Sequence, residues 1–565
     1  MSAGNVLWSA PAAGSQVEMR KSSVKRDFSD FAKETFDLIV VGGGIIGAGI
    51  ARDAALRGLK TLLLEKEDFA HGTTSRSSRL IHGGLRYLRQ LEFRLVRQDM
   101  REREVLLGIA PHLVHPLPFL IPITRPLERV VMALGMRLYD LLSFNKALPS
   151  YHRLSRSETL ELEPDLELEG LLGSYLYYDC QAPFVERLCL ENVLSAAEYG
   201  ASVMNHAKVT GFVRTGDAVC GVQVEDVLSG EVYQMATRMV VNAAGHWVDC
   251  LCGMLPSRLK RMVRRTKGIH LLTLQICRQA VVLFARADGR LLFTIPWQGY
   301  SLIGTTDTDY SGDLDTVHAG VEDVDYLLTE VRHAFPAVRK EDIFYTTAGL
   351  RSLADSGGRR ASDVSRQHKL VDHERSHGIS GFISVLGGKI SGYRAIAQEV
   401  VDMVCQKLGV RASCRTAESS LPGAPAVLQE EVEQAAQESG LTMETVAHLA
   451  ALYGSRFSQV LDLARRDVQG VQPICPHCRD ILSQVWHAVG EEGALTVGDF
   501  LLRRSAVGLG SCQGLDAVET VAREMGRLLG WSTTEQQRQV EAYLASAALG
   551  QRFRVETAEF EKLAN

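Results

Sequence analysis

Three glycines and a glutamate place the first chemistry this chain can do. A short apolar run, Leu38 to Val41, is followed by Gly42, Gly44 and Gly47 in the spacing G-x-G-x-x-G, then by a helical stretch and a second apolar run, Thr61 to Leu64, that closes on Glu65. Gly42 suits a tight turn, Gly44 lets backbone N–H groups approach a pyrophosphate, and Gly47 lets the helix lie close to the strand. The helix N-terminus offers unpaired N–H groups and the positive end of its dipole to an anion. Glu65 follows at about the twenty-residue distance at which a carboxylate meets a ribose 2′-OH. Strand, turn, helix, strand and acid in register predict an ADP-containing dinucleotide.

A second cluster runs from Gly72 to Leu88. It is rich in small hydroxyl residues (Thr73, Thr74, Ser75, Ser77, Ser78) and carries Arg79, His82, Gly83, Gly84, Arg86 and Tyr87. Such a loop can lie flat against a planar or phosphorylated ligand. It reads equally well as a solvated basic loop leading into the charged helix from Glu92 to Leu107.

The elements that must position these residues follow from the pattern. A chain of 565 residues exceeds one hydrophobic core, so roughly two or three domains are expected. Met239 to Gly245 is another apolar strand ending in small residues, which brings its turn to the carboxyl edge of the same sheet. Residues near 150–235 alternate short strands with helices, residues near 262–350 are strand-rich, and from about Pro422 the pattern is helical. The predicted fold is α/β (α+β): a Rossmann-like dinucleotide-binding domain over 36–421, interrupted by a mixed-sheet substrate domain (roughly 110–235 and 262–350), then an all-helical domain over 422–565. Residues 1–35 lack an apolar signal core and read as a disordered tail, with a transit peptide as the alternative. The net charge of −5 exerts no general pull on nucleic acid. The eleven scattered cysteines suit free thiols in a reducing compartment. No apolar run reaches the length of about eighteen residues that a membrane span needs.

From Phe36 to Leu544 the chain resembles the FAD-dependent, quinone-linked glycerol-3-phosphate dehydrogenases. The resemblance rests on Val41–Ala51, Ser77–Leu88, Glu92–Val96, Arg103–Leu107, Ala110–Leu113, Lys267–His270, Ile295–Trp297, Ile303–Asp307, Gly349–Arg351, Gly387–Lys389, Asp499–Ser505 and Gln513–Ala517, in the same order. It implies a non-covalent FAD, oxidation of sn-glycerol 3-phosphate to dihydroxyacetone phosphate, and a ubiquinone- or menaquinone-type acceptor at the membrane. It places Arg86, Tyr87 and Arg366 at the substrate phosphate, where guanidinium forks suit a dianion. At the cofactor it places Thr74, Ser75, Ser78, His82, Gly83, Ala244, Gly245, Gly388 and Lys389 beside the glycines and Glu65.

Alcohol oxidation also needs a base. His270, expected to titrate near the working pH, is the candidate. Arg351 matches the family's active-site arginine and, being always charged, is cast as stabilising the developing alkoxide. Lys389, entering a helix after two glycines, would favour negative charge on reduced flavin. The chain departs from the family pattern at Pro183–Leu188, at His246, at Ser352 (commonly proline) and after Lys389. These departures keep another polyol phosphate, such as erythritol phosphate, as an alternative substrate. A flavin-binding protein without turnover is a third reading.

Cys475-Pro-His-Cys478 with Cys512 is read as ordinary helical-domain sequence, with no metal, because His477 and one further cysteine make a poor ligand set. The segment Arg125 to Ser143 has apolar residues at helical spacing and carries Arg125, Arg129 and Arg137. Such a helix either packs on its own domain or lies at a membrane surface; the membrane acceptor implied by the resemblance supports the second, with the protein attached peripherally to the inner, cytoplasmic face of the cell membrane. A homodimer is compatible with the sequence but not readable from it.

Overall fold

Leu38–Val41 is buried along its whole length because it lies inside a six-stranded sheet. The order is Lys369–Asp372, Phe382–Leu386, Val240–Asn242, Leu38–Val41, Thr61–Leu64 and Ser202–Met204. Every pairing is parallel except that of the edge strand Lys369–Asp372. The near-continuous Val, Ile and Leu runs reflect burial on both faces. The computed structural model describes residues 24, 26–84, 92–143, 147–255, 259–355 and 367–556.

The helix Ile45–Leu56 packs between this sheet and the helices Val185–Glu198 and Tyr393–Leu408. Two glycines make that possible. Gly42 takes a φ of +112°, which an L side chain rarely adopts, and a Cβ at Gly47 would fall 1.8 Å from the Gly42 carbonyl oxygen. A Gly47→Ala substitution therefore forces the helix off the strand. The expected result is apoprotein, checked by the flavin-to-protein absorbance ratio after purification.

A four-stranded sheet of Thr35–Phe36, Val232–Thr237, Ala218–Asp226 and Ala207–Thr215 lies beside the first. Residues 182–237 thus belong to the nucleotide-binding layers, which corrects the expected inner boundary of the substrate domain. Their short strands carried no mark of which sheet they would join. The substrate sheet has ten strands, drawn from segments between Leu80 and Gln181 and between Val263 and Ala354. Its longest pairing is antiparallel, Val263–Leu274 against Ile343–Ala354.

The tail expectation is also corrected for its last residues. Phe28 and Phe31 lie in a short buried helix, Phe28 stacks on Tyr233 with ring centroids 5.2 Å apart, and Arg26 pairs with Asp226. Two phenylalanines three apart hold this piece down; residues 1–23 lie outside the described residues.

After Tyr393–Leu408 the described residues contain helices and no named strand. The helical domain is fastened to the nucleotide-binding domain by buried charge. Asp68, fully buried, accepts from Arg503 Nε at 2.7 Å, Arg504 Nη1 at 2.7 Å and Nη2 at 3.0 Å, and Asn205 Nδ2 at 2.8 Å. Arg187 donates to both Glu492 oxygens, at 2.6 and 2.7 Å, and His206 Nε2 lies 2.9 Å from Asp499.

Candidate active site

The carboxyl ends of Leu38–Val41 and Val240–Asn242 open into a cavity of about 580 Å³, closed on its far side by the substrate sheet. Sites of this size at the carboxyl edge of a parallel sheet are where ligands bind in such folds. The helix Ile45–Leu56 begins at Gly44 with no side-chain cap and no acidic residue in its first turn, so the positive end of its dipole is not neutralised. The Thr74 hydroxyl accepts from the Ile45 N–H at 3.1 Å. Glu65 accepts from the N–H of Gly43 at 2.7 Å and of Glu67 at 2.9 Å. Burial raises its pKa, and those two N–H groups oppose the rise.

Gly42, Gly44, Glu65, Thr74, Ser78, His82, Ala244, Gly245, Gly388 and Lys389 all line this cavity, as do His270 and Arg351. Gly47 acts behind the wall, as a packing residue. Two expected cofactor contacts have other work. Ser75 Oγ donates to the loop's own carbonyls, His71 at 3.2 Å and Gly72 at 3.3 Å. Gly83 is wedged against Tyr139 and Met100, where a Cβ would come within 2.7 and 2.8 Å. Arg86, Tyr87 and Arg366 lie outside the described residues.

The catalytic candidates meet on the substrate sheet. His270 pairs across strands with Gly304 and Thr347, and Arg351 with Thr266. Arg351 donates to Thr306 O at 3.0 Å, Thr305 Oγ1 at 3.0 Å and Asp307 Oδ1 at 3.3 Å, and its guanidinium lies over the backbone of Gly268. The block Ile303–Asp307, noted only as a resemblance, is therefore the holder of this arginine. His270 Nε2 shares a 2.8 Å hydrogen bond with Ser78 Oγ. The expectation that His270 titrates near the working pH is corrected. Burial, then the charges of Arg351 and Arg79, push its pKa down to about 3. The imidazole is neutral throughout the physiological range, and Nδ1 is a buried polar atom with no partner.

Arg79, carried by the same loop as His82, is locked on Glu186 by two hydrogen bonds of 2.6 and 2.7 Å and on the Pro183 carbonyl at 2.9 Å. The departure at Pro183–Leu188 thus supplies this arginine's partners. Residues missed in the sequence include Arg76, Lys66, Trp247 and Phe293, all lining the cavity. Lys66 lies 4.3 Å from the centroid of Trp247, and His246 stacks on the same indole at 3.6 Å. No spacing signal connects these positions.

Lys389 follows Gly387 and Gly388, which have φ of +71° and +103°, and it pairs with Asp99. Burial raises the Asp99 carboxyl from 3.8 to about 6 against the pull of Lys389. The native state therefore holds this proton more tightly than the unfolded chain does. The contribution favours the fold below about pH 4 and is lost as pH rises to about 6. A rise of this size corresponds to about 3 kcal/mol. Thermal unfolding across that window should show a flatter pH dependence in Asp99→Asn than in the unaltered protein.

The comparisons with known proteins agree with this geometry. The family model described as FAD dependent oxidoreductase matches residues 37–394, and that described as the C-terminal domain of alpha-glycerophosphate oxidase matches residues 414–536. The glycerol-3-phosphate dehydrogenase of Synechocystis sp. is 40% identical over 92% of this chain and 97% of its own. The chain belongs to the FAD-dependent glycerol-3-phosphate dehydrogenase family. Glycerol-3-phosphate dehydrogenase 2 of Mycobacterium tuberculosis is 37% identical, over 95% of this chain and 91% of its own. The solved glycerol-3-phosphate dehydrogenase of Bacillus halodurans, complexed with FAD, superposes with a TM-score of 0.78 at 32% identity, covering 94% of this chain and 98% of that one.

FAD is the cofactor of this family, and the residues here fit it. The helix N-terminus, with no acidic residue in its first turn, suits the pyrophosphate, Glu65 suits the ribose, and the cavity reaches from them to His270 and Arg351.

Proposed function

We propose that the protein oxidises sn-glycerol 3-phosphate to dihydroxyacetone phosphate and passes the electrons to a membrane quinone. The observation that carries this reading is the convergence of Arg351 and His270 on the cavity that the dinucleotide motif opens into. FAD, when bound, supplies the hydride acceptor at N5. The protein's own residues then have three tasks. Arg351, held by Thr305, Thr306 and Asp307, presents a fixed positive charge to the alkoxide that develops as the alcohol loses its proton. His270, neutral and with its Nε2 at Ser78 in the cavity lining, is the group placed to accept that proton. Arg86 and Arg366, with Tyr87, hold the phosphate dianion.

Ser352, standing where the family commonly has proline, lines the same cavity and supports a second reading, a four-carbon polyol phosphate. Steady-state assays on both compounds with a short-chain quinone test the choice. A higher kcat/KM for glycerol 3-phosphate is expected, and the reverse order would replace the first reading with the second.

Attachment to the inner face of the membrane is supported by the helix Pro126–Leu142. One face is buried through Met136 and Tyr139, whose hydroxyl donates to Asp179 at 2.7 Å. On the other, Leu127, Val130, Val131, Leu134 and Leu141 are between 63% and 75% exposed, with Arg125 and Arg137 exposed beside them. No helix among the described residues is long and apolar enough to cross a membrane. An apolar stripe with basic flanks suits an interfacial position. Placing aspartate at both Val131 and Leu134 should weaken binding to anionic liposomes about a hundredfold by removing their burial. Unchanged co-sedimentation would contradict this role.

A further inference from the structure

Outside the active site, two cysteines and an aspartate of the helical domain converge, with a third cysteine in the same turn as the first. The Sγ atoms of Cys475 and Cys512, thirty-seven residues apart, are 3.7 Å from one another. With a carboxylate oxygen of Asp516 they form a group whose ligand atoms all lie within 4.8 Å. Cys478 is the second cysteine of the Cys475-Pro-His-Cys478 turn, and its Sγ lies 3.9 Å from the Cys475 carbonyl oxygen.

The backbone around Cys475 places its sulfur at the tip of a hairpin. Pro473 and Ile481 bridge antiparallel, and Ile474 N–H donates to Asp480 O at 3.0 Å, so the turn is the tip of a small hairpin. The His477 N–H, two residues on, points at Cys475 Sγ at 3.2 Å. A Cys-x-x-Cys turn at a hairpin tip, with an amide aimed at its first sulfur, has the form of a metal-binding knuckle, where an N–H donor offsets charge on bound sulfur.

We propose that Cys475, Cys478, Cys512 and Asp516 bind a single tetrahedral zinc ion that ties the Cys475–Cys478 hairpin to the Gly510–Ala517 loop. Two sulfurs about 2.3 Å from one zinc ion at the tetrahedral angle lie about 3.8 Å apart, close to the observed spacing. A soft thiolate set completed by one carboxylate suits zinc. Binding releases the thiol protons and leaves the Cys475 sulfur its amide donor. The loop so fixed carries the contact between the helical domain and the substrate sheet. Tyr300 Oη lies 3.1 Å from Ser511 Oγ, and Gln513 Nε2 donates to the Phe344 carbonyl at 2.8 Å. The tetrahedral set that the sequence spacing did not suggest is completed by Asp516, which the fold brings to the sulfurs.

The test is metal analysis of the full-length flavoprotein purified without chelator, beside Cys478→Ser and Asp516→Ala, with flavin content as the check on folding. The expected result is about one zinc per chain in the unaltered protein. Both variants should lose most of it while retaining flavin. Cobalt(II) added to chelator-stripped protein should give a thiolate charge-transfer band that Cys512→Ser abolishes. Protein that holds no zinc and takes up no cobalt would overturn the proposal. So would iron with acid-labile sulfide, or a Cys475–Cys512 disulfide found by peptide mass analysis.

Discussion

Arg351→Ala should lower kcat about 10²–10³-fold, the loss that follows removal of one preorganised donor to a developing oxyanion, while the flavin stays bound. The residue contacts the substrate sheet and the Thr305–Asp307 segment, none of which belongs to the glycine turn that holds the dinucleotide. Arg351→Lys should recover little, because a point charge cannot reproduce three donors aimed by a planar fork. His270→Ala should lose about 10²-fold or more, as expected for a general base. Because His270 is neutral above about pH 3, the acidic limb of the kcat/KM profile should not be its titration. An inflection near pH 6.5 that vanished in His270→Ala would show that the histidine is more exposed to solvent than the structure has it. Near-normal turnover in either variant would remove that residue from the chemistry.

Asp68→Ala is expected to cost about 3–5 kcal/mol, the range for breaking a buried ion pair by deleting one partner. Two arginines are left facing each other with one carboxylate fewer. Arg503 keeps Asp499 at 2.9 Å, while Arg504 keeps a backbone carbonyl, that of Glu492, at 2.8 Å. The loop that carries Asp68 also carries Glu65, so flavin affinity should fall with stability. Urea unfolding followed by tryptophan fluorescence and by flavin release would read both. A stability change under 1 kcal/mol would mean that the two domains are held chiefly by their apolar contacts.

The parts of the fold legible in the sequence are those with a local physical cause. Gly42 and Gly47 announce a turn and a close packing that no other residues allow, and the runs Leu38–Val41 and Thr61–Leu64 announce a sheet covered on both faces. The stripe Leu127, Val130, Val131, Leu134 and Leu141 was visible as a helical period, though which of its faces met solvent depended on the seat taken by Met136 and Tyr139. Long-range features were not legible. The burial that drives His270 to low pKa comes from strands meeting at Gly304 and Thr347. The capture of Arg79 by Glu186, the holding of Arg351 by Thr305–Asp307, and the joining of Cys475 to Cys512 all bring together residues far apart in the chain. The seating of Phe28 and Phe31 shows the same limit, since two aromatics in a polar tail become structure only once the distant Tyr233 is brought beside them.

Substrate oxidation and flavin reduction in one cavity can be followed together by stopped-flow reduction of the flavoprotein under anaerobic conditions. Mixing with sn-glycerol 3-phosphate should bleach the flavin rapidly, and a soluble quinone should restore its absorbance faster than oxygen does. A flavin that stays oxidised with this substrate, yet bleaches with dithionite, would mean that sn-glycerol 3-phosphate is not oxidised at this site.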